Sequence, residues 1–485
     1  MNENTNNIPS GAKIAKNASF LTTAYIFQKL FAFVYFTLIA RWIGPEDVGK
    51  YVFAISITTI LSIFIDLGMG PILIRETAKF KEKTNHYLNT ILSAKIIFSV
   101  LAYLAVIIII QLLHKDPLTT TMVYISGLVM ILDSFTLSFW GVFRGHQNLR
   151  YESISIVINQ IFILIVGLGG IMLHFPIWVL VLALLAGSTW SFFFSAILAR
   201  IKLHYSFKFK IDKKTLSMLL KLAIPFALAG IFTRVYSYID QVLLSILIGD
   251  TQLGWYSVPY KITFALQFVP SAFAASIYPA MSNYYHYAQD KLAALFERSM
   301  YFLMIIAIPI SIGTIMISND IILTLYKDAY VNSILPLIIL IVALPAIFLA
   351  FPVGAMLNSC NKQHINTINL GVTMIINIVM NVILIPKFQH VGASIAASIS
   401  LYYLFISNLL FVKTIITYNR RYLWLMFMRS LFSSAIMGAV VYYINTQTSF
   451  IIAIVVGIIV YGISMWLVRG VNKDEIIFIR KLLKR

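Results

Sequence analysis

Residues 41–52 read RWIGPEDVGKYV. Within them, Gly44-Pro45-Glu46-Asp47-Val48-Gly49-Lys50 fits G-x-x-x-x-G-K, the opening of a phosphate-cradling P-loop. A P-loop places Ser or Thr after the lysine to hold magnesium, and Tyr51 stands there. It also follows a β-strand, whereas this stretch follows a long apolar run. The pattern Ile43-Gly44-x-x-x-Val48-Gly49-x-Tyr51 returns 205 residues later as Ile248-Gly249-x-x-x-Leu253-Gly254-x-Tyr256, with Trp255 in place of the lysine. A nucleotide site does not explain a copy without its lysine. Paired turns between helices do, because glycine takes positive φ at no steric cost.

The rest of the chain agrees with helices. Of 485 residues, 60% are hydrophobic and 11% charged, and the mean hydropathy is +0.87. A soluble domain carries about 25% charged residues. The apolar residues gather in runs of about 20, long enough to cross a bilayer as helices. Fourteen such runs are legible, from 18–40 and 51–73 at the start to 423–444 and 449–468 at the end. The fold class is therefore an all-α polytopic membrane protein.

The net charge of +19 would suggest nucleic acid in a soluble protein. Here its distribution argues for topology instead, and no nucleic-acid partner is expected. Of 37 Lys and Arg, four lie inside spans (Lys29, Lys95, Arg234, Lys261) and five on one set of loops (Arg41, Lys50, Lys115, Lys327, Lys387), which leaves 28 on the other set. Basic residues concentrate on cytoplasmic loops, so both termini are expected in the cytoplasm. The polar N-terminus leads into an apolar run that continues past Lys29, which reads as an uncleaved first span rather than a signal peptide. The single Cys360 precludes an intrachain disulfide.

Each copy of the opening motif joins the first and second spans of a six-span block, and both blocks start from the same side. This predicts two six-helix lobes, 1–200 and 201–413, in parallel pseudo-twofold repeat. Residues 414–485 are expected to add two further spans and a basic cytoplasmic tail.

No H-E-x-x-H, paired cysteines, G-x-S-x-G or D-x-D points to a metal site or an enzyme, and no cofactor is expected. The charges within the spans carry more information, since a charge at bilayer depth costs roughly 2.5–3.5 kcal/mol on insertion scales. Seven stand out: Lys29, Lys95, Arg234 and Lys261, with Asp66, Asp133 and Asp240. Lys29 and Arg234 fall near the middle of the first helix of each lobe. The cations are expected to line a cavity, and the acids to serve as coupling sites or counter-ions. The alternative is that all seven form buried ion pairs that hold helices together. Asp240 lies six positions from Arg234, about 240° around the helix, so any partner of Arg234 belongs to another helix. The intramembrane amides Asn159, Gln160, Gln267, Asn377 and Asn381 read more readily as interhelical hydrogen bonds than as substrate contacts.

The stretch LIARWIGPEDVGKYVFAISITTILSIFIDLGMGPILIRETAK, residues 38–79, resembles the opening of the polysaccharide-biosynthesis flippases, the Wzx-type translocases of O-antigen and capsule repeat units. These share the MOP superfamily with MATE exporters and lipid II flippases. The resemblance rests on Leu38–Gly49, Tyr51, the Asp66-Leu67-Gly68 turn and Arg75-Glu76, then on Ala223-Ile224-Pro225, Asp240 and Ile248–Tyr256. It implies a MATE-like fold in the cytoplasmic (inner) membrane. It also implies a substrate, a polyprenyl-pyrophosphate-linked oligosaccharide, moved from the cytoplasmic to the outer leaflet by alternating access. The head group would bind Lys29, Lys95, Arg234 and Lys261, and the polysaccharide polymerase machinery would be a partner. Asp66, Asp133 and Asp240 would be where ion coupling is sought. A MATE-type exporter would favour acids in its cavity, against the four-to-three excess of bases here. A lipid II flippase fits the span count equally. A membrane polymerase or ligase would carry a large outer loop, and no loop here exceeds about 12 residues on that face.

Overall fold

The computed structural model describes residues 11–470; the basic tail expected beyond them lies outside the described residues. The helices in chain order are α1 (Gly11–Leu61), α2 (Ile63–Asp66), α3 (Met69–Lys79), α4 (Thr84–Leu112), α5 (Pro117–Gly145), α6 (Arg150–Met172), α7 (Val179–Leu203), α8 (Lys213–Leu247) and α9 (Asp250–Leu266). They continue as α10 (Phe268–Tyr287), α11 (Gln289–Met316), α12 (Ser318–Tyr326), α13 (Ile334–Val342), α14 (Leu344–Ser359), α15 (Gln363–Val412), α16 (Arg420–Gln447) and α17 (Phe450–Leu467). Among the described residues there is no strand.

Twelve helical runs are long and apolar enough to cross a membrane. Two of them, Ser19–Asp66 with 48 residues and Gln363–Val412 with 50, are too long for one crossing. At 1.5 Å per residue each would extend more than about 70 Å, against a hydrocarbon core of about 30 Å. Each is broken once, at Gly44 (φ 81°) and at Gln389 (φ 53°). Counting both limbs of each gives fourteen crossings among the described residues, the number read from the apolar runs.

Gly44 and its counterpart Gly249 (φ 114°) both adopt the positive φ that the turn reading requires. Lys50, the residue that mimics a P-loop lysine, is spent on an ion pair with Glu46 at 2.8 Å, one turn back on the same helix. Val48 and Leu253, at matching positions, are fully buried. The repeat is thus a packing motif.

The described residues gather into two compact units that divide between Gly254 and Trp255. In the first, α7 packs on α5 and α6, and α8 packs on α1, α3 and α4. Its core includes Met69, Leu73, Leu88, Ile91, Val142, Phe143 and Leu219. Small hydroxyl residues let helices approach and bond across them: Thr58 and Ser126 hydroxyls lie 2.7 Å apart, and Ser56 donates to Gln241 Oε1 at 2.6 Å. In the second unit, α11 packs on α14 and α16, α14 on α10 and α15, and α16 on α17. Its core includes Met281, Phe296, Met304, Phe348 and Met356, with Cys360 buried among them. Asn369 donates to Asn408 at 2.8 Å, and Asn408 to Asn366 at 2.9 Å, which joins the two limbs of α15. Exposed Ile108, Ile165 and Trp466 present the apolar surface that lipid requires.

Candidate functional site

A left-handed break sets the site. After α2, Leu67 (φ 43°) and Gly68 (φ 73°) both take αL conformation, and α3 begins at Met69. The turn lies directly on the backbone of α8: a Cβ on Gly68 would stand 2.5 Å from Ala227 N and 2.8 Å from Ala223 O. Only glycine fits there. The break turns the Asp66 carboxylate back toward Gly70 and toward the next helix.

Lys95 on α4 meets it. The ammonium donates to Asp66 Oδ1 at 2.8 Å and to the Ser134 carbonyl on α5, also at 2.8 Å. Lys95 is fully buried and the Asp66 side chain is 16% exposed. This is the ion-pair alternative stated above. Lys95 has no surface with which to meet a substrate, and Asp66 is its counter-ion. The pairing also explains how a full charge is tolerated at this depth.

Arg234 is different. It lies on α8 about 30 Å from the Lys213 end and about 20 Å from the Leu247 end, at 1.5 Å per residue. It is half-buried, and one guanidinium nitrogen donates to Thr59 O at 3.4 Å. It makes no ion pair within 4 Å among the described residues, yet it is within electrostatic reach of Asp66, Lys95 and Asp133. A guanidinium offers five N–H donors in a fork that matches carboxylate or phosphate oxygens. Arg234 therefore keeps donors for an anion. Asp133 on α5 is exposed beside the buried Ser188 hydroxyl.

Lys29 is exposed on α1, and Lys261 is exposed on α9 in the second unit. Asp240 is 2% exposed and accepts its neighbour's N–H, from Gln241, at 2.9 Å. Asn377 and Asn381 are buried and bond to each other along one helix, with Asn381 Nδ2 donating to Asn377 O at 2.8 Å. Asn159 donates to Ser191 Oγ at 3.0 Å.

The two copies of the opening motif meet in the first unit. A Cβ on Gly49 would stand 2.5 Å from the carbonyl carbon of Asp250, and a Cβ on Gly254 would stand 2.5 Å from that of Pro45. Pro45 and Asp250 are equivalent positions of the repeat, as are Gly49 and Gly254. The contact is reciprocal. Lys115 holds it, donating to Ser245 O at 2.7 Å, Ser245 Oγ at 2.8 Å and Asp250 Oδ1 at 3.1 Å, with its ammonium 4.9 Å from the Phe53 ring centroid. Ser245 also donates to Asp250.

Lys115 and Asp250 were legible only as loop charges. A second network was missed at the opposite helix ends. Arg144 donates to Glu152 from Nε at 2.7 Å and from Nη2 at 2.5 Å, and Tyr25 OH donates to the same carboxylate at 3.1 Å. Glu152 is fully buried. Charges at span ends are ordinary, so the sequence carries no signal that this one is enclosed.

The family model described as polysaccharide biosynthesis protein matches residues 14–285, more than half of the chain, and that described as MatE matches 225–383. The chain belongs to the polysaccharide biosynthesis family. Within reach of it, the capsular polysaccharide biosynthesis protein CapF of Staphylococcus aureus is 25% identical over 83% of this chain and all of its own length. The probable low-salt glycan biosynthesis flippase Agl15 of Haloferax volcanii is 23% identical over 80% of this chain and 81% of its own. Among solved structures, the lipid II flippase MurJ in an inward closed conformation has a TM-score of 0.78 at 18% identity, over 92% of this chain and 98% of MurJ. That likeness establishes the fold as MATE- and MurJ-like.

Proposed function

We propose that this protein is a flippase for a lipid-linked oligosaccharide of surface polysaccharide synthesis, a transporter rather than an enzyme. The substrate is a polyprenyl-pyrophosphate-linked repeat unit, carried from the cytoplasmic to the outer leaflet of the inner membrane, with both termini cytoplasmic and the polysaccharide polymerase downstream. The family match and the names of its relatives support the class of substrate. The observation that carries the assignment is Arg234, a mid-membrane guanidinium with donors to spare and two acids within electrostatic reach. In the empty protein Asp66 and Asp133 offset its charge. A pyrophosphate then competes for the same fork, at closer range and with more acceptor oxygens. Lys29 and Lys261, both exposed, are assigned further contacts with the anionic substrate, and Lys95 the role of fixing Asp66. Asp240 and Asp133 are the places to look for ion coupling.

The lobes of this reading are residues 1–200 and 201–413, with 414–485 as an addition. Alternating access opens and closes the reciprocal glycine contact, which this reading places on the outer face. The lipid tail stays in the bilayer while the head group passes Arg234.

The test is made in a host lacking the gene, by measuring how much lipid-linked oligosaccharide is accessible from the outer leaflet. Accumulation on the inner leaflet, relieved by the wild-type gene, supports the reading. Normal outward appearance without the protein overturns it. A second reading, an ion-coupled exporter of cations, draws on the MatE match and on the exposed Asp133 carboxylate. It predicts loss of export in Asp133→Asn with Arg234→Ala unaffected. Lipid II is the alternative substrate within the first reading.

A further inference from the structure

A cavity of 550 Å³ lies between α4, α5, α7 and the non-helical strap at residues 204–212, apart from the charged cluster. Its inner wall is aromatic: Phe192 lies edge-on to Phe135 at 6.2 Å and 6.1 Å from Phe139, and Phe139 lies 6.3 Å from Tyr205. The size falls in the roughly 300–1,000 Å³ range of small-ligand pockets.

The strap that roofs it is pinned at four points to two side chains of α4. Tyr205 OH and Lys208 N both donate to Asn89 Oδ1 at 2.9 Å, Asn89 Nδ2 donates to Ser206 O at 3.2 Å, and Lys210 N donates to Ser93 Oγ at 3.1 Å. The opening is therefore a built feature of the fold rather than a gap between loosely packed helices.

Arg200 stands at its mouth, exposed and with no ion pair among the described residues. Lys202, Lys208 and Lys210 are exposed nearby and likewise make no ion pair among the described residues. The one acid of the segment, Asp212, is already engaged: it caps α8 through Lys214 N and Thr215 N and lies 3.2 Å from His86. An apolar slot with unneutralised cations at its rim matches one kind of molecule, with a hydrocarbon chain and an anionic head.

We propose that this cavity is a binding site for one anionic glycerophospholipid of the leaflet on the basic side of the membrane. An acyl chain lies among the phenylalanines, and the phosphate sits on Arg200. Lipid held there fastens α4, α5 and α7 to the strap that leads into α8.

The test is native mass spectrometry of the full-length protein released from micelles that contain equal phosphatidylglycerol and phosphatidylcholine. The wild type is expected to retain one phosphatidylglycerol, several-fold in preference to phosphatidylcholine. Arg200→Gln, at an exposed site, is expected to bring the preference to parity. Ala196→Phe, which fills the slot, is expected to lose retention of both, and Lys413→Gln, at an exposed lysine of the second unit, to keep the wild-type preference. Equal retention and preference in wild type, Arg200→Gln and Ala196→Phe overturns the proposal. So does a retained species that is a polyprenyl phosphate instead of a glycerophospholipid.

Discussion

Gly49 and Gly254, 205 residues apart, each rest on the backbone of the other's repeat: Gly49 on Asp250 and Gly254 on Pro45. Neither contact leaves room for a Cβ, because real Cβ atoms do not approach backbone atoms within 3.0 Å. Alanine at either position must push the two turns apart. We expect Gly254→Ala and Gly49→Ala to hold this face open and to slow transport strongly, with normal expression. A cysteine replacing the fully buried Val48 reports on it. It should resist a water-soluble maleimide in the otherwise wild-type protein and react once Gly254→Ala is added. Equal labelling in both would mean that the contact is not a closure.

Arg234→Ala should reduce transport by about 10–150-fold, the worth of one hydrogen bond to a charged group at ~1.5–3 kcal/mol. Arg234→Lys keeps the charge but not the fork, so it should retain part of the activity. The comparison is made on outer-leaflet accessibility of the lipid-linked oligosaccharide at matched protein levels. Unchanged transport in the alanine variant would remove Arg234 from the substrate path.

Lys95 should behave as a structural residue. Removing one partner of a buried ion pair strands the other, at a cost of about 3–5 kcal/mol. Lys95→Ala is therefore expected to lower the melting temperature in detergent markedly. Lys95→Met combined with Asp66→Asn should recover most of the loss, since neither charge is then left alone. If the double variant melts as low as the single, the pair is not what holds α4 to the break after α2.

The strap in front of α8 should loosen only in acid. The Thr215 hydroxyl, the N–H groups of Lys214 and Thr215 and the neighbouring His86 hold the half-buried Asp212 carboxyl below its ordinary value. A depressed carboxyl stabilises the folded form fully above the usual range near pH 4 and loses that contribution as pH falls through the lowered value. Hydrogen exchange at residues 213–216, taken relative to the intrinsic amide rate at each pH, should stay slow at pH 5 and quicken well below pH 4. In Asp212→Ala it should be fast throughout. Fast exchange in the wild type already at pH 5 would contradict the cap.

The spans were legible because hydropathy reports directly on what touches lipid. The two turns at Gly44 and Gly249 were legible as a repeat with a conformational reason. The break at Leu67-Gly68 was legible only as a turn of the family resemblance, since by hydropathy it falls inside one continuous apolar run read as 51–73. The pairing of Lys95 with Asp66 could be anticipated only as one option. The residues are 29 apart on separate helices, and depth alone does not say which charges meet. Asn377 and Asn381 bond along one helix and not between helices as expected, because their i,i+4 spacing already brings the two amides together. Lys115 and the Arg144–Glu152 pair were hidden by position, because a charge at the end of a span needs no special explanation.

Cys360 is the one thiol in the chain, and it is wholly shielded by its neighbours, with Met356 Sδ 3.7 Å from its sulfur. The protein thus comes with a silent background for site-directed spin or fluorophore labels. Reporters can be placed singly or in pairs on the wild-type sequence, and distances within each compact unit followed through a transport cycle without first engineering a cysteine-free parent.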